Sequence, residues 1–320
     1  MARKIIIDTD PGVDDAVAVF MAFACAEIDV VGLTSVYGNL PIDITTDNAR
    51  RFVEIAGRPD VPVAQGAGRP LVADDIGPVP FIHGDNGLGN APLADPTVEL
   101  SALHAAEFIY QTALASPGEI TLVPVGPLTN VALAVRLHPD LPELVEEVVI
   151  MGGNPFAAGN ASPGGEANML HDPEAADIVF GEDWPLTMVG LDITDEVVLD
   201  RAQLGAISAV DTPANKLLAA AMPFYQAFYE ENLEGFAGLC PHDASAIAYL
   251  LRPELFETVR KPLRVEMHGF GRGKTWAADP YHLTQPGSPW LDRPDITICT
   301  GGDARAISEL IVAKLTGATS

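Results

Sequence analysis

Residues 4–26 read KIIIDTDPGVDDAVAVFMAFACA, and the rest of the chain is best read outward from them. Three successive isoleucines ahead of Asp8 form a β-branched run of the kind that fills a strand buried on both faces, which predicts a strand over Lys4–Asp8. Pro11 and Gly12 then shape a tight turn, and the apolar pattern that follows predicts a helix over Asp14–Ala26. Its uninterrupted apolar run, Ala16–Ala26, is about half of the roughly 20 residues that a bilayer requires, so the helix is expected to be buried in protein.

The same alternation continues downstream. Short β-branched runs at Val30–Val36, Ile120–Val125, Val148–Met151 and Leu186–Leu191 predict further buried strands. Helical patterns lie between them at Ile42–Ala56, Ala102–Ala115, Leu128–Leu137 and Pro173–Phe180. Strands alternating with helices imply an α/β fold with an open, mostly parallel central sheet flanked by helices. From Thr212 the pattern turns helical, over Ala214–Glu231 and Asp243–Leu251, before short strands near Leu263–Met267 and Ile296–Cys299 and a closing helix from Asp303. No repeat, low-complexity tract or linker divides residues 1–320, so a single domain is expected. Two Gly/Pro-rich stretches, Gly66–Pro96 and Gly152–Gly165, are long for loops, a length usually associated with function or mobility. In open α/β sheets ligands bind beyond the carboxyl ends of the strands, where the unusual polar clusters of this chain fall.

Charge narrows the partners. With 44 acidic against 18 basic side chains, the formal net charge is −26, which opposes binding to a phosphate backbone or an anionic membrane surface. Neither nucleic acid nor membrane is expected as a partner. Cys25, Cys240 and Cys299 are odd in number and far apart, which fits neither a disulfide framework nor a Cys-x-x-Cys metal site. A reducing, cytoplasmic setting is the expectation, since no leader pattern precedes the first strand.

Asp8, Asp10, Asp14 and Asp15 place four carboxylates within eight residues at the junction of the first strand and helix. Helix capping calls for one or two acids, so it leaves part of this charge unaccounted for. A hard divalent cation such as calcium or magnesium is the sharper reading, because carboxylate oxygens are its preferred ligands and it offsets their repulsion. An Asp-x-Asp after the first strand also suits a phosphohydrolase with an aspartyl nucleophile at Asp8 or Asp10. Gly12 stands where that motif expects Thr or Val.

The run DTDPGVDDAVA resembles the signature of the inosine-uridine preferring nucleoside hydrolase family, and further features recur in family order. They are VYGNL with Asn39, HGDNGLG with His83, GPLTN at Gly126–Asn130, MGG at Met151, GNASPGGEAN, DPEAA and PHDASAIAYL. The resemblance covers nearly the whole chain and implies a nucleoside hydrolase fold with a Rossmann-like core. It implies a calcium site made by Asp10, Asp15, Asp243 and the main-chain carbonyl of Val125, and a ribose clamp made by Asp14, Asn39, Asn160, Glu166 and Asn168. It also places His83 against the nucleoside and His242 beside the departing base. Ala167 departs from relatives that carry a bulky aromatic there, which bears on base stacking. Tyr225, Phe228 and Tyr229 have the spacing of one helix face and are assigned to the core.

What the resemblance implies chemically is hydrolysis of the N-glycosidic bond of a small-molecule ribonucleoside, within nucleoside salvage of purines and pyrimidines. Calcium would prepare a water, Asp10 would act as its base, and His242 would assist protonation of the leaving group. Relatives are commonly homodimers or homotetramers. Two alternatives stay open on the sequence: a metal-dependent phosphohydrolase, and a non-catalytic relative that binds nucleosides.

Overall fold

Strand β1 (Arg3–Thr9) forms where the isoleucine run predicts it, and its side chains divide by parity. Ile5 and Ile7 enter the core on one side of the sheet and Ile6 enters the core on the other, as the two-residue period of a strand requires. The computed structural model describes residues 2–72 and 74–318. Helix α1 (Val13–Ala24) follows β1, with every residue from Val13 to Ala22 buried. It is shorter than expected at its end, because Cys25 is extended and its N–H closes onto the Ala22 carbonyl.

Next come β2 (Ile28–Ser35), α2 (Ile42–Ile55), β3 (Val63–Gln65), β4 (Ile120–Pro124), β5 (Val145–Met151) and β6 (Leu186–Val189). The carboxyl-terminal third adds β7 (Phe256–Lys261), β8 (Leu263–Val265), β9 (Thr275–Ala277) and β10 (Ile296–Gly302). Among the described residues eight strands form one sheet in the order β3-β2-β1-β4-β5-β6-β10-β7. Every neighbouring pair is parallel except β10 with β7. This is the expected open, mostly parallel sheet. The helices α1, Pro213–Asn232, His242–Leu251 and Ala304–Thr316 contribute to the core on one face, and Ala105–Ala115, Thr129–Leu137 and Pro173–Val179 to that on the other.

Three strands have no counterpart in the sequence expectations. β3 has three residues, β7 (FETVRK) is a largely solvated edge strand with a polar sequence, and β9 pairs only with β8 in a separate two-stranded sheet. The strand expected over Leu263–Met267 stops at Val265, and the helix expected from Ala102 begins at Ala105, where the ring of His104 accepts the Ala106 N–H and caps it.

The chain runs outward from β1 to β3, then returns to the other side of β1 for β4. That reversal opens a crevice at the carboxyl ends of β1 and β4. The two long Gly/Pro-rich stretches both lie on this edge: among its described residues the first, 66–96, holds only the short helix Pro80–His83, and the second joins β5 to the helix Ala167–His171. Among the described residues no helix is long and apolar enough to cross a membrane.

Candidate active site

β1 delivers Asp10 to the crevice, and the first turn of α1 delivers Asp14 and Asp15. The turn between them is crowded. A Cβ on Gly12 would lie 2.6 Å from His83 Nδ1 and 3.0 Å from Asn39 Nδ2, so only glycine fits. Asp15 accepts the Thr9 hydroxyl and, on its other oxygen, Gly12 N–H at 2.8 Å and Asn39 Nδ2 at 3.2 Å. Asp10 Oδ2 accepts the Asn39 N–H at 2.7 Å, and Asn39 Nδ2 donates to the Asp10 carbonyl at 3.3 Å. Asn39, from the loop after β2, thus bridges both acids.

Asp243 enters from the first turn of the helix His242–Leu251. Single oxygens of Asp14, Asp15 and Asp243 come within 4.8 Å of one another, all three side chains being buried. Asp10 stands beside this group, held by Asn39. Asp14, expected on the sugar, is thus also a neighbour of the expected metal ligands Asp15 and Asp243.

Burial lifts the carboxyl of Asp10 well above the usual range, with the charges of Asp15 and Asp14 adding to the effect. Asp14 is pushed up to about 8 by burial and then by Asp15, and Asp243 rises through burial and the charges of Asp14, Asp15 and Asp10. Among the described residues no lysine or arginine pairs with any of the four. Asp10 Oδ1 and Asp14 Oδ1 are buried with no hydrogen-bond partner. An all-oxygen donor set, clustered like charge and two orphaned carboxylate oxygens fit a hard divalent cation.

The fourth acid of the signature is elsewhere. Asp8 Oδ1 accepts the Thr34 hydroxyl at 2.6 Å and Asn130 Nδ2 at 2.8 Å, tying β1 to β2 and to the helix after β4. Two side-chain partners on Oδ1, with burial raising the carboxyl to about 7 and Oδ2 enclosed without a partner, suit a structural tie.

The two histidines differ. His83 Nδ1 accepts the Val13 N–H at 3.2 Å and lies 3.9 Å from Asp14 Oδ1, and the ring stacks on Tyr225 at 5.1 Å. Burial, with His242, lowers its pKa to about 3, so it is neutral at physiological pH. His242 is likewise neutral, its pKa lowered by burial to about 4. Its Nδ1 meets the Thr194 hydroxyl at 2.8 Å and its Nε2 the Tyr229 hydroxyl at 2.8 Å. Tyr229 in turn meets the Tyr225 hydroxyl at 3.2 Å, and Tyr225 donates to Asp14 Oδ2 at 3.3 Å. One orientation of the protons satisfies every partner: Thr194 donates to His242, His242 to Tyr229, Tyr229 to Tyr225, and Tyr225 to Asp14.

Tyr225 and Tyr229 therefore belong to the site as well as to the core. Their i, i+4 spacing placed them on one face of the helix Pro213–Asn232, but only the packing of that helix brings the face to His242. Thr194, at the end of a short helix after β6, carried no signal in the sequence.

The Gly-rich loop after β5 supplies the rest. Glu166 is buried and caps the helix Ala167–His171, accepting Asn168 N–H at 2.9 Å, Met169 N–H at 3.1 Å and Gly153 N–H at 2.9 Å. Asn168 Nδ2 donates to the Val125 carbonyl at 2.9 Å and the Met151 carbonyl at 3.2 Å, joining the loops after β4 and β5. Val125 and Asn168, expected on metal and on ribose respectively, are thus direct neighbours. Asn160 is exposed, and its Oδ1 accepts the Ala167 N–H at 3.0 Å, which folds the loop back on the helix.

A model of the family described as inosine-uridine preferring nucleoside hydrolase matches residues 5–309. Uridine nucleosidase 1 of Arabidopsis thaliana is 37% identical over 313 residues, covering 98% of this chain and 93% of that protein. The inosine-uridine preferring nucleoside hydrolase of Leishmania major is 41% identical over 271 residues, 84% of this chain and 85% of that one. A solved plant nucleoside hydrolase superimposes with a TM-score of 0.93 at 33% identity, covering 99% of each chain.

Proposed function

Because the chain belongs to the inosine-uridine preferring nucleoside hydrolase family, we propose that it is a ribonucleoside hydrolase that attacks the N-glycosidic bond with a water activated at the Asp10 cluster. The observation that carries this reading is the group of four buried carboxylates at the topological switch point, two of whose oxygens lack a partner.

Asp10, Asp15, Asp243 and the Val125 carbonyl would hold a calcium ion, which when bound supplies charge balance for the acids and a lower pKa for an adjacent water. Asp10 is the base. Its Oδ2 is fixed by the Asn39 N–H, while Oδ1 is left free to take a proton. Asp14, Asn39, Asn160, Glu166 and Asn168 orient the ribose, and His83 contacts the nucleoside. Glu166 suits this task because three amide N–H groups hold its carboxylate in one orientation. The acidic surroundings also favour positive charge developing on the sugar ring.

Departure of the base calls for a proton. A His242 held neutral by burial stores none, so its part is to pass one on: Tyr225 would give its O–H proton to the departing base, Tyr229 and His242 would refill it in turn along the orientation above, and the net proton is the one that Asp10 takes from water. His242 thus assists protonation through a chain whose members are already aligned.

The test is release of free base and ribose from inosine, uridine, cytidine and adenosine, before and after removal of calcium with a chelator. Chelator-sensitive release is the expected result. Phosphate release from a phosphorylated substrate without base release would favour a phosphohydrolase, and binding without turnover a non-catalytic relative.

A further inference from the structure

The helix Ala167–His171 carries Asn168 near its start and His171 at its end. His171 is buried, and its Nδ1 meets Asp75 Oδ1 at 2.9 Å, on the strap of residues 74–79. Four residues beyond Asp75, the Val79 N–H donates to the Asn39 carbonyl at 2.9 Å. The Val79 carbonyl then accepts the N–H groups of Ile82 and His83, opening the short helix that brings His83 to the site. A second tie runs the same way: Tyr37, two residues before Asn39, donates its hydroxyl to the His171 carbonyl at 3.4 Å and stands edge-on to the His171 ring at 5.8 Å. Residues with no part in the proposed chemistry thus close a circuit from Asn168, through His171, Asp75 and Val79, back to Asn39 and His83.

We propose that His171 and Asp75 are a positioning pair that sets the spacing between the two halves of the nucleoside clamp: Asn39 and His83 on one side, Glu166 and Asn168 on the other. The proposal rests on the ribose-clamp reading given above. Its physical basis is preorganisation. The strap exposes Ile76, and among the described residues of 74–78 the His171 contact is the side-chain anchor that ties it to another element. Without that anchor the strap samples open arrangements, and the apparent affinity for nucleoside falls by the fraction that remains closed. Once the nucleoside is bound the same groups surround it, so the chemical step is little changed. The signature is therefore a rise in KM without a matching fall in kcat.

Steady-state hydrolysis of uridine and inosine by His171→Ala, Asp75→Ala, Asp75→Asn and the double alanine variant tests this, with Tm measured alongside. Asp75 is on a partly exposed strap, so its replacement leaves the fold intact even if that of His171 does not. The expected result is a KM raised roughly tenfold in both alanine variants with kcat within about twofold of the parent. The double variant should be no worse than either single one, and Asp75→Asn, which keeps an oxygen acceptor for Nδ1, should recover most of the loss. An unchanged KM in Asp75→Ala, or equal losses in Asp75→Ala and Asp75→Asn, would overturn the proposal while the parent enzyme remains active. A parent protein that releases no base would instead overturn the functional reading on which it stands.

Discussion

Asp10 presents two oxygens in unlike surroundings, one bonded to the Asn39 amide and one buried without a partner. Asp10→Asn keeps an oxygen for that amide and removes the capacity to take a proton. We expect Asp10→Asn to fold normally and to lose about 10²–10⁴ in kcat, measured as base release, with Asp10→Ala abolishing turnover. Near-parental rates in Asp10→Asn would remove Asp10 as the base. The hydrogen-bonded chain through His242 makes a second prediction at this scale. His242→Ala and Tyr229→Phe each break the chain, so the double variant should fall no further than the worse single one. The loss should be larger for inosine than for uridine, because purine leaving groups depend more on protonation; equal losses on every base would contradict the relay. Of these residues the sequence marked Asp10 and His242 through their motifs. Tyr229 looked like any core aromatic, because nothing local to its helix says which side chain the next helix will set against it.

Glycines in the loops after β2 and β4 fix the carboxylate of Asp10 as much as its own strand does. A Cβ on Gly126 would lie 2.5 Å from Asp10 Oδ1, and one on Gly38, whose φ is +154°, would lie 2.1 Å from Oδ2. Gly126→Ala is the cleaner probe, because its obstacle is steric without a positive φ. It should cost about 1–3 kcal/mol of stability through overpacking and weaken calcium binding at least tenfold. Calorimetric titration of calcium together with Tm checks both; unchanged affinity would place the metal away from Asp10. At this scale the strands with apolar, β-branched sequences were legible, and so were the longer helices packed on them; the short helices Leu191–Thr194 and Arg201–Ser208 were not. β7 was not, since FETVRK is a polar edge strand recruited by pairing with β10.

Over the whole molecule, the cluster opposes its own ionisation. Burial and Asp15 move Asp14 from its ordinary 3.8 to about 8, so across that window the folded metal-free protein binds more protons than the unfolded chain. Its stability therefore falls as pH rises, by up to about 1.4 kcal/mol per pH unit for each such proton. Calcium held as proposed would bind the ionised acids and reverse the preference, so the calcium-induced rise in Tm should grow between about pH 5 and about pH 8. Differential scanning calorimetry with calcium and with chelator measures it; a calcium shift independent of pH would mean that the metal sits at groups already ionised.

By itself the sequence determined the α/β alternation, the buried first strand and helix, and the family motifs that mark Asp10, Asn39, Glu166 and Asp243, because these depend on local periodicity and on residue types at fixed short spacings. The tertiary structure alone decided the strand order that puts the crevice beside β1, the gathering of Asp14 with Asp15 and Asp243 across more than 200 residues of chain, the hydrogen-bonded chain through Tyr229, and the His171–Asp75 tie. Each of these is a contact between residues distant in sequence, set by how helices and loops pack on the sheet, and no spacing along the chain encodes which side chains then meet.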